Sequence, residues 1–389
     1  MISGTSYDAI EAVAADLELD GATIVADLRA HVSAPYPDEL RAAIAALLPP
    51  ATTTIDEVCR VDTLVGQRFA EVAAAVAEQA FDGPADVVCS HGQTVFHWVE
   101  GGRALGTLQL GQPAWIAERT GSTVVADVRA RDLAAGGHGA PLASLLDVLL
   151  LGRSDAVCGS LNLGGIANVT IVGPGLEPVA FDNGPANALL DAVVAWRTDG
   201  RETFDRDGAR AARGTVDDEL LARFLDEPYY DSAPPKSTGK ELFHLPYVRD
   251  RLDGRDPQLD DLLATLTALT AEVVARDLRR FAVTEVVAAG GGTRNRTLMS
   301  ELERRLPGVA IGTIDAYGVP AAAKEGLVFA LIGFLTVHGL PAIVPSCTGA
   351  RHESVLGAVV PGRTPLAAVA GAPLPAALVV RTPLGTGRA

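Results

Sequence analysis

The sequence predicts a mixed α/β protein with two similar halves, and three observations lead to this prediction. A unit of strand, glycine turn, strand, turn and strand occurs twice, over residues 1–28 and 156–181. Between and after these units, apolar residues recur at the three- and four-residue spacing of helices. The chain has 389 residues, enough for two or three domains at about 150 residues each. This order of elements indicates an α/β fold with a ligand cleft between the halves.

The first half begins with strands joined by tight turns. A Ser-Gly-Thr-Ser turn at residues 3–6 precedes an apolar run over residues 9–17. An Asp-Gly turn at residues 20–21 leads into the next run, over residues 23–28. Apolar spacing then predicts a helix, two short strands and a shorter helix, over residues 63–80, 86–89, 122–126 and 142–151.

The second half repeats this design. An apolar run over residues 156–163 meets a Gly-Gly turn at residues 164–165, a second run spans residues 167–172, and a third ends at Phe181. The remaining predicted elements are two helices, a strand and a helix, over residues 187–195, 259–281, 283–289 and 294–306.

Composition argues against several classes of protein. The chain has 32 basic and 48 acidic residues, a formal net charge of −16, which argues against binding to the phosphate backbone of nucleic acid. Its four cysteines form no CxxC pair, so we expect neither a disulfide framework nor a structural zinc site. The longest apolar stretch, near residues 327–337, is shorter than the roughly 18 residues of a membrane span, and no secretory signal is visible. We therefore expect a cytoplasmic, acidic enzyme that binds no membrane.

Three glycine clusters are candidates for phosphate binding, at residues 3–6, 162–168 and 289–295. Glycine lets backbone N–H groups approach an anion with no Cβ in the way, so two turns that face each other would hold the phosphates of one nucleotide. Neither standard nucleotide motif is present. Asn295 replaces the third glycine of a dinucleotide fingerprint, and Glu241 stands where a Walker motif requires Ser or Thr.

Several motifs occur in a defined order along the chain. They are Ser-Gly-Thr-Ser at residues 3–6, Ser-His-Gly-Gln-Thr at 90–94, Asn-Leu-Gly-Gly-Ile-Ala-Asn at 162–168, Phe-Asp-Asn-Gly-Pro-Ala-Asn at 181–187, Pro-Lys-Ser-Thr-Gly-Lys-Glu-Leu-Phe at 235–243, Gly-Gly-Gly-Thr-Arg-Asn at 290–295 and Ser-Cys-Thr-Gly-Ala at 346–350. In this combination the chain resembles the anhydro-N-acetylmuramic acid kinase family over residues 1–362. The resemblance implies the duplicated ribonuclease-H-like fold of sugar kinases, actin and Hsp70, with two lobes and a cleft for ATP and sugar between them.

The resemblance also implies the activity. Enzymes of this family cleave the internal 1,6-anhydro bond of the sugar with water and phosphorylate O6 with ATP and Mg²⁺. The product is N-acetylmuramic acid 6-phosphate, and the pathway is cell-wall recycling. The chain is thus expected to be a phosphotransferase with an alcohol group as acceptor. Two alternatives stay open: a kinase of another 1,6-anhydrosugar such as levoglucosan, and a catalytically inactive nucleotide-binding relative.

Asp182 is the predicted catalytic base. It follows a short apolar run and precedes Gly184, which places it at a strand end near the glycine turns. An anhydro sugar has no free 6-hydroxyl, so a carboxylate must take the proton of the water that attacks the anomeric carbon. The residues alone favour an Asp that caps the helix over residues 187–195. The resemblance favours the base.

Further site residues are assigned with the resemblance. Asp8 follows the first glycine turn and is the predicted Mg²⁺ ligand, directly or through water. Arg129 is predicted to pair with the lactyl carboxylate of the sugar. The predicted sugar-binding residues are His91, Gln93, Thr94, Asp127 and Arg129. The predicted ATP-binding residues are Ser3, Gly4, Thr5, Ser6, Tyr7, Asp8, Ala9, Ile10, Glu11, Gly164, Gly165, Gly291, Gly292 and Asn295.

The expected domain boundaries follow from the two halves. Residues 1–130 and 340–362 are predicted to form the first lobe, and residues 131–339 the second. Residues 363–389 are rich in Ala, Pro and Gly without periodicity, so we expect a disordered tail there. The predicted assembly is a homodimer. The family usually has further residues before Ser3, which form the first strand of the sheet. We therefore expect that the true start lies upstream of Met1 and that the first strand is incomplete in this sequence.

Overall fold

The computed structural model of the chain describes residues 1–4, 7–239, 241–363, 366, 373–382 and 384. Its internal contacts divide the chain into two compact units. Unit 1 comprises Met1–Leu150 and Tyr317–Ala389, and unit 2 comprises Leu151–Ala316.

Strands and helices are mixed along the chain, as the sequence predicts. The strands are β1 (Ile2–Ser3), β2 (Ala9–Asp20), β3 (Thr23–Pro35), β4 (Val87–Cys89), β5 (Gln93–Glu100), β6 (Arg103–Leu110), β7 (Thr123–Ala126), β8 (Cys158–Leu163), β9 (Ile166–Val172), β10 (Val179–Pro185), β11 (Glu285–Ala289), β12 (Ala310–Thr313), β13 (Ala358–Val360) and β14 (Ala377–Thr382). The helices are α1 (Asp38–Leu47), α2 (Ile55–Ala80), α3 (Pro113–Thr120), α4 (Ala130–Ala134), α5 (Ser144–Leu151), α6 (Asn187–Arg197), α7 (Asp218–Leu225), α8 (Leu245–Leu252), α9 (Leu259–Arg280), α10 (Arg296–Arg305), α11 (Lys324–Val337) and α12 (Pro345–Thr348).

Unit 2 is organised around a five-stranded sheet in the order β10-β9-β8-β11-β12. Strands β8, β9 and β10 are antiparallel neighbours, whereas β11 runs parallel to both β8 and β12. Parallel neighbours need a crossover connection, and helices supply it here. The long helix α9 packs against the sheet because its apolar residues, such as Val274 and Leu278, are fully buried with Leu161 and Val169 of the strands.

Unit 1 contains a six-stranded sheet in the order β14-β3-β2-β1-β5-β6 and a smaller sheet in the order β13-β7-β4. Strands β1, β2 and β3 form the same antiparallel series as β8, β9 and β10 in unit 2. The repeat predicted from the glycine turns is therefore confirmed, and with it the duplicated α/β fold of ribonuclease-H-like type. Val65 and Phe69 of α2 are fully buried and pack with Ile10 of β2 in the core of this unit.

An apolar groove lies beside strand β1 in unit 1. Strand β1 pairs with β2 only through Ile2 and Ser3. The groove has a volume of about 360 Å³, and its lining includes Val13 on β2, Val88 on β4 and Phe334 on α11. In unit 2 the corresponding strand is β8, which pairs with β9 and β11 along most of its length. The groove in unit 1 therefore lies at the position that strand β8 occupies in unit 2, between a neighbouring strand and a helix-covered sheet.

Two features of the fold differ from the sequence predictions. Residues 131–150 and 317–339 belong to unit 1 rather than to the second lobe, because α11 packs against β2 and β4. Residues 377–382, which fall within the predicted disordered tail, form β14 and run parallel to β3. Arg381 Nε donates to Asp27 Oδ1 at 3.1 Å across this pair of strands.

All four cysteines of the chain are free thiols. Cys89, Cys158 and Cys347 are buried, whereas Cys59 on α2 is exposed. Burial raises the pKa of the Cys89 thiol to about 12.

Within the part of the chain that the structure describes, no helix has both the length and the apolar character that a membrane crossing requires.

Candidate active site

The glycine turn of unit 2 joins β8 to β9 and is bound by the start of α6. The N–H groups of Ala186 and Ala188 donate to Gly165 O at 3.0 Å, and that of Asn187 donates to Gly164 O at 3.1 Å. Gly165 itself is exposed and is not among the described residues with a left-handed φ. The backbone conformation therefore does not require glycine at this position. Because glycine has no side chain, a ligand can approach the main chain of the turn at this exposed residue.

The third glycine cluster packs beside this turn. A Cβ at Gly290 would lie 2.6 Å from Asn162 Oδ1, and a Cβ at Gly292 would lie 2.6 Å from Leu163 Cβ. These two glycines thus allow the loop after β11 to pack closely on the end of β8. A Cβ at Gly291 would meet nothing within 4 Å. Of the two glycines predicted to bind ATP in this cluster, Gly291 is open to a ligand and Gly292 has a packing role.

Asn295, which is also predicted to bind ATP, is the N-cap residue of α10. Its Oδ1 accepts the N–H of Leu298 at 3.0 Å, and the residue is only 7% exposed. An N-cap side chain satisfies a backbone donor that has no partner within the helix. The acceptor oxygen of Asn295 is therefore occupied by the helix, and a contact of this residue with ATP stays a prediction.

Asp182 lies at a bulge of β10, close to the end of the β9–β10 pair. The register of the two strands shifts between Asp182 and Gly184. Oδ2 of Asp182 accepts the hydroxyl of Ser237 at 2.9 Å and the N–H of Thr238 at 3.0 Å. No described residue donates a hydrogen bond to Oδ1. One carboxylate oxygen is thus fixed by two donors, and the other can accept a proton.

The surroundings of Asp182 favour a base. Burial raises the pKa of Asp182 above its usual range, although the hydrogen bonds from Thr238 and Ser237 oppose this shift. A raised pKa makes a carboxylate a stronger base. The N-cap residue of α6 is Ala186, and it makes no side-chain cap bond. The alternative in which Asp182 caps that helix is therefore wrong.

The first glycine turn, in unit 1, is held by Gln93. The hydroxyl of Ser3 donates to Gln93 Oε1, and Gln93 Nε2 donates to Gly4 O at 3.2 Å. Gln93 is fully buried. The sequence predicts a sugar contact for this residue, whereas in the structure its amide is hydrogen-bonded to Ser3 and Gly4 of the turn. Thr5 and Ser6, two predicted ATP-binding residues, lie outside the described residues.

The predicted ATP-binding residues at the start of β2 are engaged in the sheet. Ile10 is fully buried in the core, and Ala9 is paired with the last residue of β3. The carboxylate of Glu11 forms hydrogen bonds with His31 Nε2 and the Ser33 hydroxyl of β3. The side chains of Ile10 and Glu11 therefore contact the core and β3, and contacts of these residues with ATP stay predictions.

Tyr7 and Asp8 lie between β1 and β2. Tyr7 has a φ of 45°, and its N–H donates to Gly4 O at 3.1 Å. Asp8 is exposed, and its Oδ1 lies 2.9 Å from Arg41 Nη2. Among the described residues, no group of three His, Cys, Asp or Glu side chains is placed to hold a metal ion. A single carboxylate suits Mg²⁺ where nucleotide phosphates and water complete the coordination.

His91 and Arg129 form a contact near the ends of β4 and β7. Arg129 Nε donates to His91 Nε2 at 2.7 Å, and Arg129 Nη1 donates to Gly139 O at 2.6 Å. Burial lowers the pKa of His91 to about 3, so the ring is neutral and its Nδ1 donates to Gly92 O at 3.0 Å. Arg129 keeps N–H groups on Nη1 and Nη2, and these form the end-on fork that suits a carboxylate.

Asp132, which was not identified from the sequence, binds the same residue, Gly139, that accepts a hydrogen bond from Arg129. Its side chain is fully buried, with Oδ2 accepting Gly139 N–H at 2.6 Å and Oδ1 accepting the Thr348 hydroxyl at 2.7 Å. It thereby joins the loop at residues 136–140 to α12. The sequence signal for this role is weak, because an Asp in a short helix belongs to no motif.

Two further predicted sugar-binding residues lie at strand ends. Thr94 is in β5, and its Oγ1 accepts Gln109 Nε2 at 3.1 Å. Asp127 directly follows β7, is exposed and has a φ of 54°. Their contact with a sugar stays a prediction.

Comparisons with known proteins identify one family. A family model described as anhydro-N-acetylmuramic acid kinase matches residues 1–362. The protein named anhydro-N-acetylmuramic acid kinase from Streptomyces coelicolor is 56% identical over 367 residues, which cover 94% of this chain and 94% of the relative. The protein of that name from Rhodococcus erythropolis is 53% identical over 381 residues, with 96% of each chain covered. Among solved structures, the activator of the 2-hydroxyisocaproyl-CoA dehydratase from Clostridium difficile with bound ADPNP covers 84% of this chain and 94% of its own at 14% identity, and its TM-score of 0.35 supports no inference.

Proposed function

Because the chain belongs to the anhydro-N-acetylmuramic acid kinase family and is therefore a kinase, we propose that Asp182 is the base of its reaction. In this reaction, 1,6-anhydro-N-acetylmuramic acid, water and ATP give N-acetylmuramic acid 6-phosphate and ADP. It is a phosphotransferase reaction with an alcohol group as acceptor, and it serves cell-wall recycling. The observation that carries the proposal is the Asp182 carboxylate, in which Oδ2 is fixed by two donors and Oδ1 accepts a hydrogen bond from no described residue.

The proposed chemistry links two bond-breaking events. Water attacks the anomeric carbon while Asp182 Oδ1 accepts one of its protons. The bond between the anomeric carbon and O6 breaks, and its electron pair stays on O6. O6 then attacks the γ-phosphorus of ATP, and the bond to the β,γ-bridging oxygen breaks as ADP leaves. The proton on Asp182 is later released to solvent, so the site returns to its starting state.

The nucleotide is proposed to contact the glycine segments of each unit. In unit 2, exposed Gly165 and unobstructed Gly291 support this assignment. In unit 1, the backbone of Ser3 and Gly4 belongs to the proposed phosphate turn. When bound, Mg²⁺ would neutralise phosphate charge, and Asp8 would contact it directly or through water. The ion pair of Asp8 with Arg41 is exposed, so exchange of that partner costs little.

Arg129 supports an acidic sugar as the substrate. Burial lowers its pKa only to about 10, so the guanidinium is cationic at neutral pH. Its N–H groups on Nη1 and Nη2 would pair with the lactyl carboxylate of muramic acid. Levoglucosan has no carboxylate that could pair with these N–H groups. The proposal therefore favours the muramic substrate over other 1,6-anhydrosugars.

The proposed setting is a cytoplasmic homodimer that binds neither nucleic acid nor membrane. Use of ATP suits the cytoplasm, and the net charge of −16 disfavours nucleic acid. Phe96 and Trp98 of β5 and Leu108 of β6 are between 44% and 49% exposed on a hairpin at the sheet edge. Such apolar side chains support association with a second copy.

A product analysis tests the proposed function. The protein is incubated with ATP, Mg²⁺ and 1,6-anhydro-N-acetylmuramic acid, and the sugar is analysed by mass spectrometry. We expect a product heavier than the substrate by one water and one phosphoryl group. Levoglucosan in place of the acidic sugar is the specificity control, with Arg129→Met as the matched variant. An unchanged sugar with bound ATP would identify an inactive nucleotide-binding relative instead.

A further inference from the structure

A buried ion pair in unit 2 lies next to the strand that carries the proposed base. Nζ of Lys236 is 3.4 Å from Oδ2 of Asp277, and the two side chains are only 3% and 4% exposed. The same ammonium donates to Tyr230 O at 3.3 Å and lies over the rings of Phe181 and Tyr229. Loss of one partner would leave an uncompensated charge in the interior, so the two side chains depend on each other.

The acidic partner also holds the bulge beside Asp182. Because the register of β9 and β10 shifts between Asp182 and Gly184, Asn183 lies between them without a strand partner. Asn183 is fully buried, and its Nδ2 donates to Asp277 Oδ2 at 2.9 Å. A bulge re-aims the side chains next to it. Asp277 on α9 therefore anchors the residue that determines the direction of Asp182.

The basic partner holds the segment that donates to the proposed base. The main-chain oxygen of Lys236 accepts the N–H of Asp182 at 3.0 Å. The next two residues, Ser237 and Thr238, supply the two donors to Asp182 Oδ2. The Tyr229 hydroxyl donates to Asp182 O at 2.7 Å. The ion pair thus joins the strand that carries the base to the segment that orients its carboxylate.

We propose that Lys236 and Asp277 are positioning residues, whose buried ion pair fixes both the β10 bulge and residues 236–238 so that Asp182 presents Oδ1 to the attacking water. This inference rests on the proposed function, in which Asp182 takes the proton. A pair with a purely structural role would contribute to the stability of unit 2 and would not affect the geometry of the carboxylate.

The charges around Asp182 give the inference a second readout. Lys236 lowers the pKa of Asp182, whereas Glu241 raises it, and the neutral donors are Ser237 and the N–H of Thr238. Removal of the Lys236 charge therefore raises the pKa of Asp182. The proposed base is then protonated at higher pH, and the acid limb of the kcat profile moves to higher pH.

The decisive variant is Lys236→Met with Asp277→Leu. Replacement of a buried ion pair by apolar side chains of similar volume is often neutral or stabilising, so we expect this double variant to fold and to bind ATP. We expect kcat to fall by about 10²-fold, because a displacement near 1 Å has an effect of this size. We expect a smaller change in KM and an acid limb at higher pH. Lys236→Arg keeps the charge and is expected to retain more of kcat and the wild-type acid limb.

Arg305→Met is the matched control in the same unit. The Arg305 side chain is 9% exposed and lies 3.2 Å from Glu272 of α9, but it is in neither β10 nor residues 236–238. We expect lower thermal stability with unchanged kcat and pH profile for the folded protein.

Wild-type kcat and acid limb in the stable double variant would overturn the positioning role. If the double variant does not fold, Asp277→Asn tests the role through kcat and KM, because it removes the charge that pairs with Lys236 and keeps an acceptor for Asn183. Wild-type kcat in that variant would overturn the role equally. Absence of sugar phosphate with the wild-type protein would instead overturn the proposed function.

Discussion

Asp182 is a residue whose two carboxylate oxygens have different surroundings, one bound by Ser237 and Thr238 and one contacted by no described donor. Asp182→Asn keeps the size of the side chain but cannot take a proton from water near neutral pH. We expect turnover to fall by about 10²–10⁴-fold. Anhydro-bond cleavage and phosphoryl transfer should fail together, because O6 is released only when water attacks. Steady-state kinetics with product analysis measures both, and near wild-type turnover would exclude Asp182 as the base.

His91 makes the stability of the folded protein depend on pH. Its pKa is about 3 in the folded state and 6.5 ordinarily, so the unfolded state binds more protons between these values. Stability therefore rises with pH in this window, by at most about 1.4 kcal/mol per pH unit from this group. His91→Gln keeps an acceptor for Arg129 and does not titrate. We expect its melting temperature to fall less than that of the wild type as pH decreases from 6.5. Equal slopes would contradict this account.

At the residue scale, motif membership predicts the place of a side chain better than its direction. The segment 181–187 led to Asp182, and the structure places that carboxylate at a strand bulge, where one of its oxygens has no described donor. Ile10 and Asn295 were also predicted to bind ATP, yet the side chain of Ile10 points into the core and that of Asn295 caps α10. Their directions depend on strand pairing and helix capping, and the motif contains no signal for either.

Among the elements, the β8–β9 turn allows a clean substitution. Gly165→Val adds a branched side chain where the backbone does not need a left-handed φ. We expect ATP affinity to fall at least tenfold with little change in thermal stability, because the side chain would crowd the phosphates. Gly83→Val is the control, since Gly83 has open space around it and, like Gly165, no left-handed φ. Calorimetry and thermal unfolding measure the two effects. A loss of stability with unchanged ATP affinity would assign Gly165 a structural role.

Strand β1 offers a second test at this scale. An apolar extended segment of about five residues fused to Met1 would span roughly 17 Å and enter the groove between β2 and β4. We expect the melting temperature and the ATP affinity to rise, because the strand would pair along its length and support the first glycine turn. A fused segment of equal length that contains Pro and Asp is the control. Equal melting temperatures for the two fusions would show that the groove does not accept a strand.

Elements with a local signal were predicted, and those that depend on tertiary pairing were not. The repeated strands have apolar runs bounded by glycine turns, and α9 has helical spacing over its full length. Strands β5 and β6 were not predicted, because exposed aromatic and polar residues dominate their outer parts. Strand β14 follows a stretch rich in Ala and Pro, and it is ordered by its pairing with β3.

For the whole molecule, the family match ends at residue 362 while strand β14 lies beyond it. Removal of residues 363–389 eliminates the pairing of β14 with β3 and leaves Asp27 without Arg381, which holds the pKa of that carboxyl at about 2. We expect a modestly lower melting temperature and unchanged turnover with the anhydro sugar. Thermal unfolding and product analysis of the shortened chain measure this. Loss of turnover would show that the final segment contributes to the reaction.

The fold class of the whole chain was predictable because the same unit of strands and glycine turns occurs twice in the sequence. The boundaries of the two units could not be predicted in this way. Helix α11 lies far along the chain from β2 and β4, and its apolar spacing does not reveal which sheet it covers. Assignment of residues 317–339 to unit 1 therefore required the packed structure.

The distribution of cysteines has a practical consequence. Cys59 is exposed on α2, and the other three thiols are buried. A maleimide dye added to the unmodified protein should therefore attach at one known position. The wild-type chain thus serves directly as a site-specific fluorescent reporter of unit 1, and no cysteine has to be introduced or removed before ligand titrations are followed optically.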